Sequence, residues 1–308
     1  MSRPALKLLA YAQLLRIPNV FTAFADIAMA ACAAGYLLEE PLVFVALLAA
    51  SGCLYCGGMV LNDYCDRDED AKARPFRPIP SGRIDRHVAL LLAIGLFVVG
   101  CGLAQFVPDP GRSKETGNAP ISGLVALAIV AAVVLYDAWL KHTPLGPIAM
   151  ASCRFLNVLL GLSGAGGDLL TTPNLHLAAT TGLYIVGVTW FARTEEAQSN
   201  RRQLILASTV MALSLVLAVT VPMHRAPSTT PIYFPYLVAA FGFLVGAKLV
   251  AAIQRPGPKE VQAAVKRSIL GLVALDAILA TAFVGAPGLL ILLLLLPARW
   301  LGKWVYST

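Results

Sequence analysis

Charge is what this chain has least of. Only 13% of its 308 residues are Asp, Glu, Lys or Arg, about half the share of an ordinary water-soluble domain (~25%). No stretch rich in Pro, Gly or Ser divides the sequence and no short-period repeat is evident, so residues 1–308 read as one domain. No small-residue cleavage site precedes the first apolar run, which argues against a signal peptide. Residues 1–15, with Arg3 and Lys7 among leucines, read as an interfacial helix. Cys53-x-x-Cys56 lacks the second cysteine pair of a zinc site, and the six cysteines fall mostly in apolar runs, where the thiol behaves as a small hydrophobe. The net charge of +7 comes without aromatic interleaving or a nucleic-acid motif, so nucleic acid is excluded as the partner.

What is abundant is hydrocarbon: 58% of the residues are hydrophobic, in runs long enough to cross a bilayer. These run over 17–38, 41–61, 87–107, 119–140, 145–165, 175–192, 203–222, 231–253, 264–285 and 287–304. The fold expected is all-α, a multi-pass integral membrane bundle of nine or ten helices. Pro297 leaves the last run open as a hairpin half or an interfacial helix. With the N-terminus inside, three of the 24 Lys and Arg fall outside (Arg112, Lys114 and Arg225) and one within a span (Arg154). That asymmetry favours an even number of spans and puts the polar loops on the cytoplasmic face.

The most informative polar stretch is Asn62-Asp63-Tyr64-Cys65-Asp66-Arg67-Asp68-Glu69-Asp70. If the preceding helix continues through it, Asp63, Asp66 and Asp70 fall at i, i+3 and i+7, and Asn62 joins Asp66 at i+4. Hard oxygen ligands at a polar rim suit Mg²⁺, which is commonly held by one or two carboxylates and a substrate's phosphates. Next comes Arg74-Pro75-Phe76-Arg77-Pro78-Ile79-Pro80-Ser81-Gly82-Arg83, where three prolines stiffen a loop that carries three arginines. Such arginines suit phosphate, although orientation signals at lipid headgroups have the same composition.

The Asn62-Asp63-x-x-Asp66-x-x-x-Asp70 stretch and the Arg74-Pro75-x-Arg77-Pro78 loop resemble the first aspartate-rich motif of the UbiA superfamily of intramembrane prenyltransferases. Arg16-Ile17-Pro18-Asn19 is similar to the start of that family's first helix, and Tyr136-Asp137-Ala138-Trp139-Leu140-Lys141 to its segment after helix 4. The resemblance implies a bundle around a central cavity open to lipid, and transfer of a prenyl group from an isoprenyl diphosphate to an unidentified acceptor. It implies Mg²⁺ held by Asp63, Asp66 and Asp70, with Asp63, Asp66 and Lys141 catalytic. Asn19, Asn62, Arg74, Arg77, Lys141, Arg154, Asn157 and Arg193 are the candidate substrate-binding residues. Lys141 also fits ordinary snorkelling at a helix end. The pattern of CDP-alcohol phosphotransferases, Asp-Gly-x-x-Ala-Arg, is absent.

After the sixth run the likeness fails. Residues 189–202 contain no aspartate where the family carries a second acidic motif; Glu195 and Glu196 are adjacent and point about 100° apart on a helix, and Arg193 puts a positive charge there. In the fifth run, Arg154 and Asn157 lie one turn apart, and Arg154 is expected to face substrate or to pair with Asp26. This set is similar to the divergent EboC branch, which implies a bacterial inner membrane. It leaves open a second function: binding or transport of a prenylated or lipid-like metabolite without turnover.

Overall fold

The structure is a computed structural model, and it describes residues 3–108, 120–195, 198–225 and 230–305. Glu196, Arg112 and Lys114, named above, lie outside the described residues. Twelve α-helices follow one another: α1 (Arg3–Leu14), α2 (Ile17–Ala34), α3 (Pro41–Cys65), α4 (Arg67–Ala73), α5 (Arg86–Gln105), α6 (Ile121–Leu135), α7 (Gly146–Leu162), α8 (Thr172–Ala192), α9 (Arg201–Thr220), α10 (Phe234–Gln254), α11 (Pro258–Val284) and α12 (Leu295–Val305). No strand occurs among the described residues.

Local chemistry sets the boundaries. Pro18, Pro41, Pro147, Pro173 and Pro258 sit in first turns, where the missing N–H would have had no helical partner. Asp85 and Asn200 cap α5 and α9 by accepting backbone N–H bonds. Gly35 ends α2 with a left-handed φ of 83°, a conformation that costs glycine least.

Among the described residues, ten helical stretches are long and apolar enough to cross a membrane, the upper of the two expected counts. The first stops at Ala34, the second runs on to Cys65, and the ninth begins at Pro258. The tenth is two pieces: a 3₁₀ segment, Ala286–Leu294, then α12, with Pro297 in its first turn. Helices α2, α7, α8 and α11 are the most buried spans, while α5 and α10 turn leucine, valine and phenylalanine outward, as at Leu91, Val98 and Phe243. Helix α7 approaches α2 closely because Gly161 has no side chain; a Cβ there would lie 2.6 Å from the Cβ of Ala30. Helix α1 is held to the far end of the chain by Gln13, whose side chain donates to the Val305 carbonyl at 3.0 Å.

Candidate active site

Acids, bases and an apolar chamber meet where α2 begins and α3 and α6 end. Helix α3 does not run straight through the acidic stretch. It stops at Cys65, Asp66 takes φ −85° and ψ 0°, and α4 restarts at Arg67. Bonds of i to i−4 spacing still run through the break, from the Asp66 N–H to the Asn62 carbonyl and from the Asp70 N–H to the Asp66 carbonyl, but the three carboxylates divide between different partners. Buried Asp63 and Asp70 share Arg77, at 3.5 and 2.6 Å, whereas Asp66 turns to the ammonium of Lys141. Asp63 also accepts from Arg16 at 2.8 Å. Arg16 is the one non-glycine residue with positive φ (47°) among the described residues, a backbone strain that coincides with its aim at Asn62 and Asp63.

Asn62 links this cluster to a residue that the sequence reading quoted without assigning it a role. Its amide donates to Asp137 at 2.8 Å. Asp137 is buried, and Lys141 stands 4.0 Å from it. It lies in a π-helical turn, Tyr136–Leu140, which closes with a bond from the Lys141 N–H to the Tyr136 carbonyl. Single π turns recur at functional sites. The available signal was an acid beside the Tyr136 and Lys141 already singled out.

Inward of Asn62 lies a cavity of about 280 Å³. Arg16, Asn19, Asn62 and Asp137 line one part of it; Leu54, Met59, Ile129, Val133, Ile185 and Leu272 supply apolar wall; Ser51, Tyr55, Arg154 and Asn157 form a second polar part. Asp63, Asp66 and Asp70 are not among its lining residues. In the second part Arg154 donates to Asp26 at 3.1 Å and to the Thr22 hydroxyl at 2.7 Å, so the predicted pairing with Asp26 is present. Asn157 donates to Asp26 at 2.8 Å and to the Ala23 carbonyl, and accepts from Ser51. Asp276, fully buried on α11, lies within hydrogen-bonding reach of Asp26, yet neither of its oxygens meets a donor.

Other candidates lie away from the cavity lining. Arg193 donates to the Thr143 carbonyl at 2.7 Å and thereby braces the loop after Lys141. Arg74 has Asp70 and Glu195 as charged neighbours, and burial with the adjacent Arg77 lowers its pKa. Burial raises the pKa of Glu195, and Arg74 opposes the shift. Arg83 ties its loop to Gln13 and to the Phe76 carbonyl. Among the described residues, the metal-ligating side chains that converge are Asp66, Glu69 and His142, with ligand atoms within 4.8 Å of one another.

The donor chemistry at Asn62, Asp63, Asp66 and Asp137 is all oxygen and fits a hard divalent cation. In the structure those oxygens are held by Arg16, Arg77, Lys141 and one another.

Comparison with known proteins bears on the family and the fold. A digeranylgeranylglyceryl phosphate synthase of Methanothrix thermoacetophila is 33% identical over 196 residues, 59% of this chain and 67% of that one. The same-named protein of Methanopyrus kandleri matches at 36% over 44% of this chain and 45% of its own length. This chain thus spans about half to two thirds of these archaeal relatives. Protoheme IX farnesyltransferase 1 of Cenarchaeum symbiosum is 29% identical over 255 residues, 79% of this chain and 78% of the relative. In fold, a digeranylgeranylglyceryl phosphate synthase structure superposes with a TM-score of 0.65 at 19% identity, over 90% of this chain and 99% of the other. A UbiA homologue from Archaeoglobus fulgidus bound to GPP and Mg²⁺ superposes at 0.56 with 14% identity, over 88% and 99%. These relatives lend no support to the narrower EboC assignment. The profile of the UbiA prenyltransferase family matches residues 20–270, so the chain belongs to that family.

Proposed function

We propose that this protein is a divalent-metal-dependent intramembrane prenyltransferase, using an isoprenyl diphosphate as donor. The observation that carries the reading is a set of paired acids and bases at the end of an apolar cavity, with Asn62 and Asp137 joining the two. Mg²⁺, the cation bound in the Archaeoglobus relative, would neutralise a leaving diphosphate. The chain's own residues do the rest. Arg16 and Lys141 exchange carboxylate partners for phosphate oxygens, Arg77 does so at Asp63 while keeping Asp70, and Asn62, Asp63 and Asp66 become available as metal ligands. Leaving-group charge is thereby met by groups already in position, which is where electrostatic catalysis gains most. Leu54, Met59, Ile129 and Val133 shield the allylic centre from water. Asp137, whose carboxylate faces the cavity, is placed to take the acceptor's proton.

Asp70 enters this reading as a positioning residue, because its carboxylate is committed to Arg77. Arg193 acts through Thr143 on the Lys141 loop and not on diphosphate. The Lys and Arg distribution puts the charged end inside the cell, and the archaeal relatives give no reason to restrict the membrane to a bacterial one. The segment after α8 favours a second reading, binding or transport without turnover, since Glu195 is engaged with Arg74. Purified protein incubated with Mg²⁺ and a panel of radiolabelled prenyl diphosphates separates the two. Diphosphate release that vanishes in Asp63→Ala is expected. Saturable binding with no release, whatever acceptor is added, would establish the second reading.

A further inference from the structure

The two polar parts of the cavity differ in what they can bind. Tyr55 lies seven residues before Asn62 on α3, about 10 Å along the helix axis. Arg154 stands over the Tyr55 ring, 5.3 Å from its centroid. An isoprenoid tail has no polar atom and needs no charge in its wall. A charged side chain inside a membrane span is costly unless it has a partner or a task.

Fastening α7 to α2 accounts for only part of this cluster. Thr22 and Asp26 are sealed, and Asn157, although it borders the cavity, has both amide hydrogens and its carbonyl bonded within the protein. Arg154 differs: its side chain keeps 13% of its surface open and lines the cavity. Its bonds to Asp26 and Thr22 use two of five N–H groups, and the others meet no further acceptor among the described residues. What the cavity meets here is therefore a hydrogen-bond donor backed by an aromatic face. Its charge is already matched by Asp26, and the acid behind, Asp276, is a second carboxyl and not a second base. A ligand anion would add negative charge to a site already balanced; a neutral oxygen would not.

We propose that Arg154, over Tyr55, anchors an uncharged oxygen of the prenyl acceptor, a carbonyl or hydroxyl carried at the end away from its reacting atom. The interval between Tyr55 and Asn62 leaves room for one ring or one isoprene unit between that oxygen and the atom to be alkylated. The acceptor class is thus a small neutral oxygenated molecule, in place of a second phosphate ester buried at this depth. This rests on the prenyl-transfer reading above, in which donor and acceptor share the cavity.

The full chain in lipid nanodiscs is titrated by equilibrium dialysis with three probes: 4-hydroxybenzaldehyde, 4-methylphenol and 4-hydroxybenzoate. The aldehyde is expected to bind about tenfold tighter than the methyl analogue, as one charge-assisted hydrogen bond gives, and tighter than the carboxylate. In Arg154→Met the aldehyde and the methyl analogue bind alike, while Mg²⁺-dependent binding of geranyl diphosphate is unchanged. If that variant does not fold, Tyr55→Leu reads the same site, and a reduced aldehyde preference is expected. The proposal is overturned by equal binding of aldehyde and methylphenol to the wild type, by a preference that survives both substitutions, or by tightest binding of the carboxylate. Absence of Mg²⁺-dependent geranyl diphosphate binding in the wild type would instead remove the donor reading, leaving the probe comparison intact.

Discussion

Two stretches at the charged end of the bundle face the same task with different residues. Over residues 62–70, acids outnumber bases and each site carboxylate has a basic partner from outside the stretch: Asp63 with Arg16, Asp66 with Lys141, Asp70 with Arg77 across the loop. Over residues 189–202, at the end of α8 and just after it, no aspartate occurs, Arg193 reaches a backbone carbonyl and Glu195 neighbours Arg74. The first stretch can exchange its partners for a metal and a diphosphate; the second is spent on holding loops. On the proposed reading, diphosphate chemistry is therefore concentrated at the first stretch, where Asp137 adds a further carboxylate.

The sharpest way to break that contrast is to disarm the first stretch. Asp66→Asn is expected to lower diphosphate release and Mg²⁺-dependent donor binding by about 10²–10³-fold, the usual effect of removing one element of electrostatic stabilisation. A radiolabel release assay with parallel donor binding measures both. Asp137→Asn comes next: it keeps an acceptor for the Asn62 amide but removes the proton-accepting carboxylate. Transfer should fall about 10²-fold, as for loss of a general base, while donor binding holds. Transfer unchanged in that variant would move the base elsewhere. Arg193→Ala should cost only a fewfold, since Thr143 then orders the Lys141 loop less well; a loss as large as that of Asp66→Asn would return Arg193 to the diphosphate.

Much of this was legible beforehand, for physical reasons. Ten apolar runs report span number because a bilayer has one thickness, and the fork of Arg154 toward Asp26 follows from the cost of lone charge in lipid. How Asp63, Asp66 and Asp70 divide among their partners was not recoverable: helical spacing orders the carboxylates but does not say that Lys141 takes the middle one and Arg77 the last. Asp137 escaped for a related reason: its direction is set by a π turn that ordinary helical spacing does not anticipate.

The smallest effect expected is a pH dependence. Because burial raises the pKa of Glu195 above its ordinary 4.5, the folded state holds that proton more tightly than the unfolded one. This contribution to stability is present below the ordinary value and is lost as pH rises through the raised one. Glu195→Gln should flatten that part of a thermal-denaturation profile without changing diphosphate release.

The reciprocal pairing around Asp63, Asp66 and Asp70 also has a thermodynamic meaning. A circuit of charge already closed on itself resists either half of its ligand alone: a metal ion would strand the arginines, and a free diphosphate would strand the acids. Bound together, each relieves the vacancy the other creates, so the two affinities are linked and each ligand must raise the other's by the same factor. Selection of a metal–diphosphate complex over free metal, or over the many other phosphates at a membrane surface, would then follow from the pairing of these acids and bases with one another.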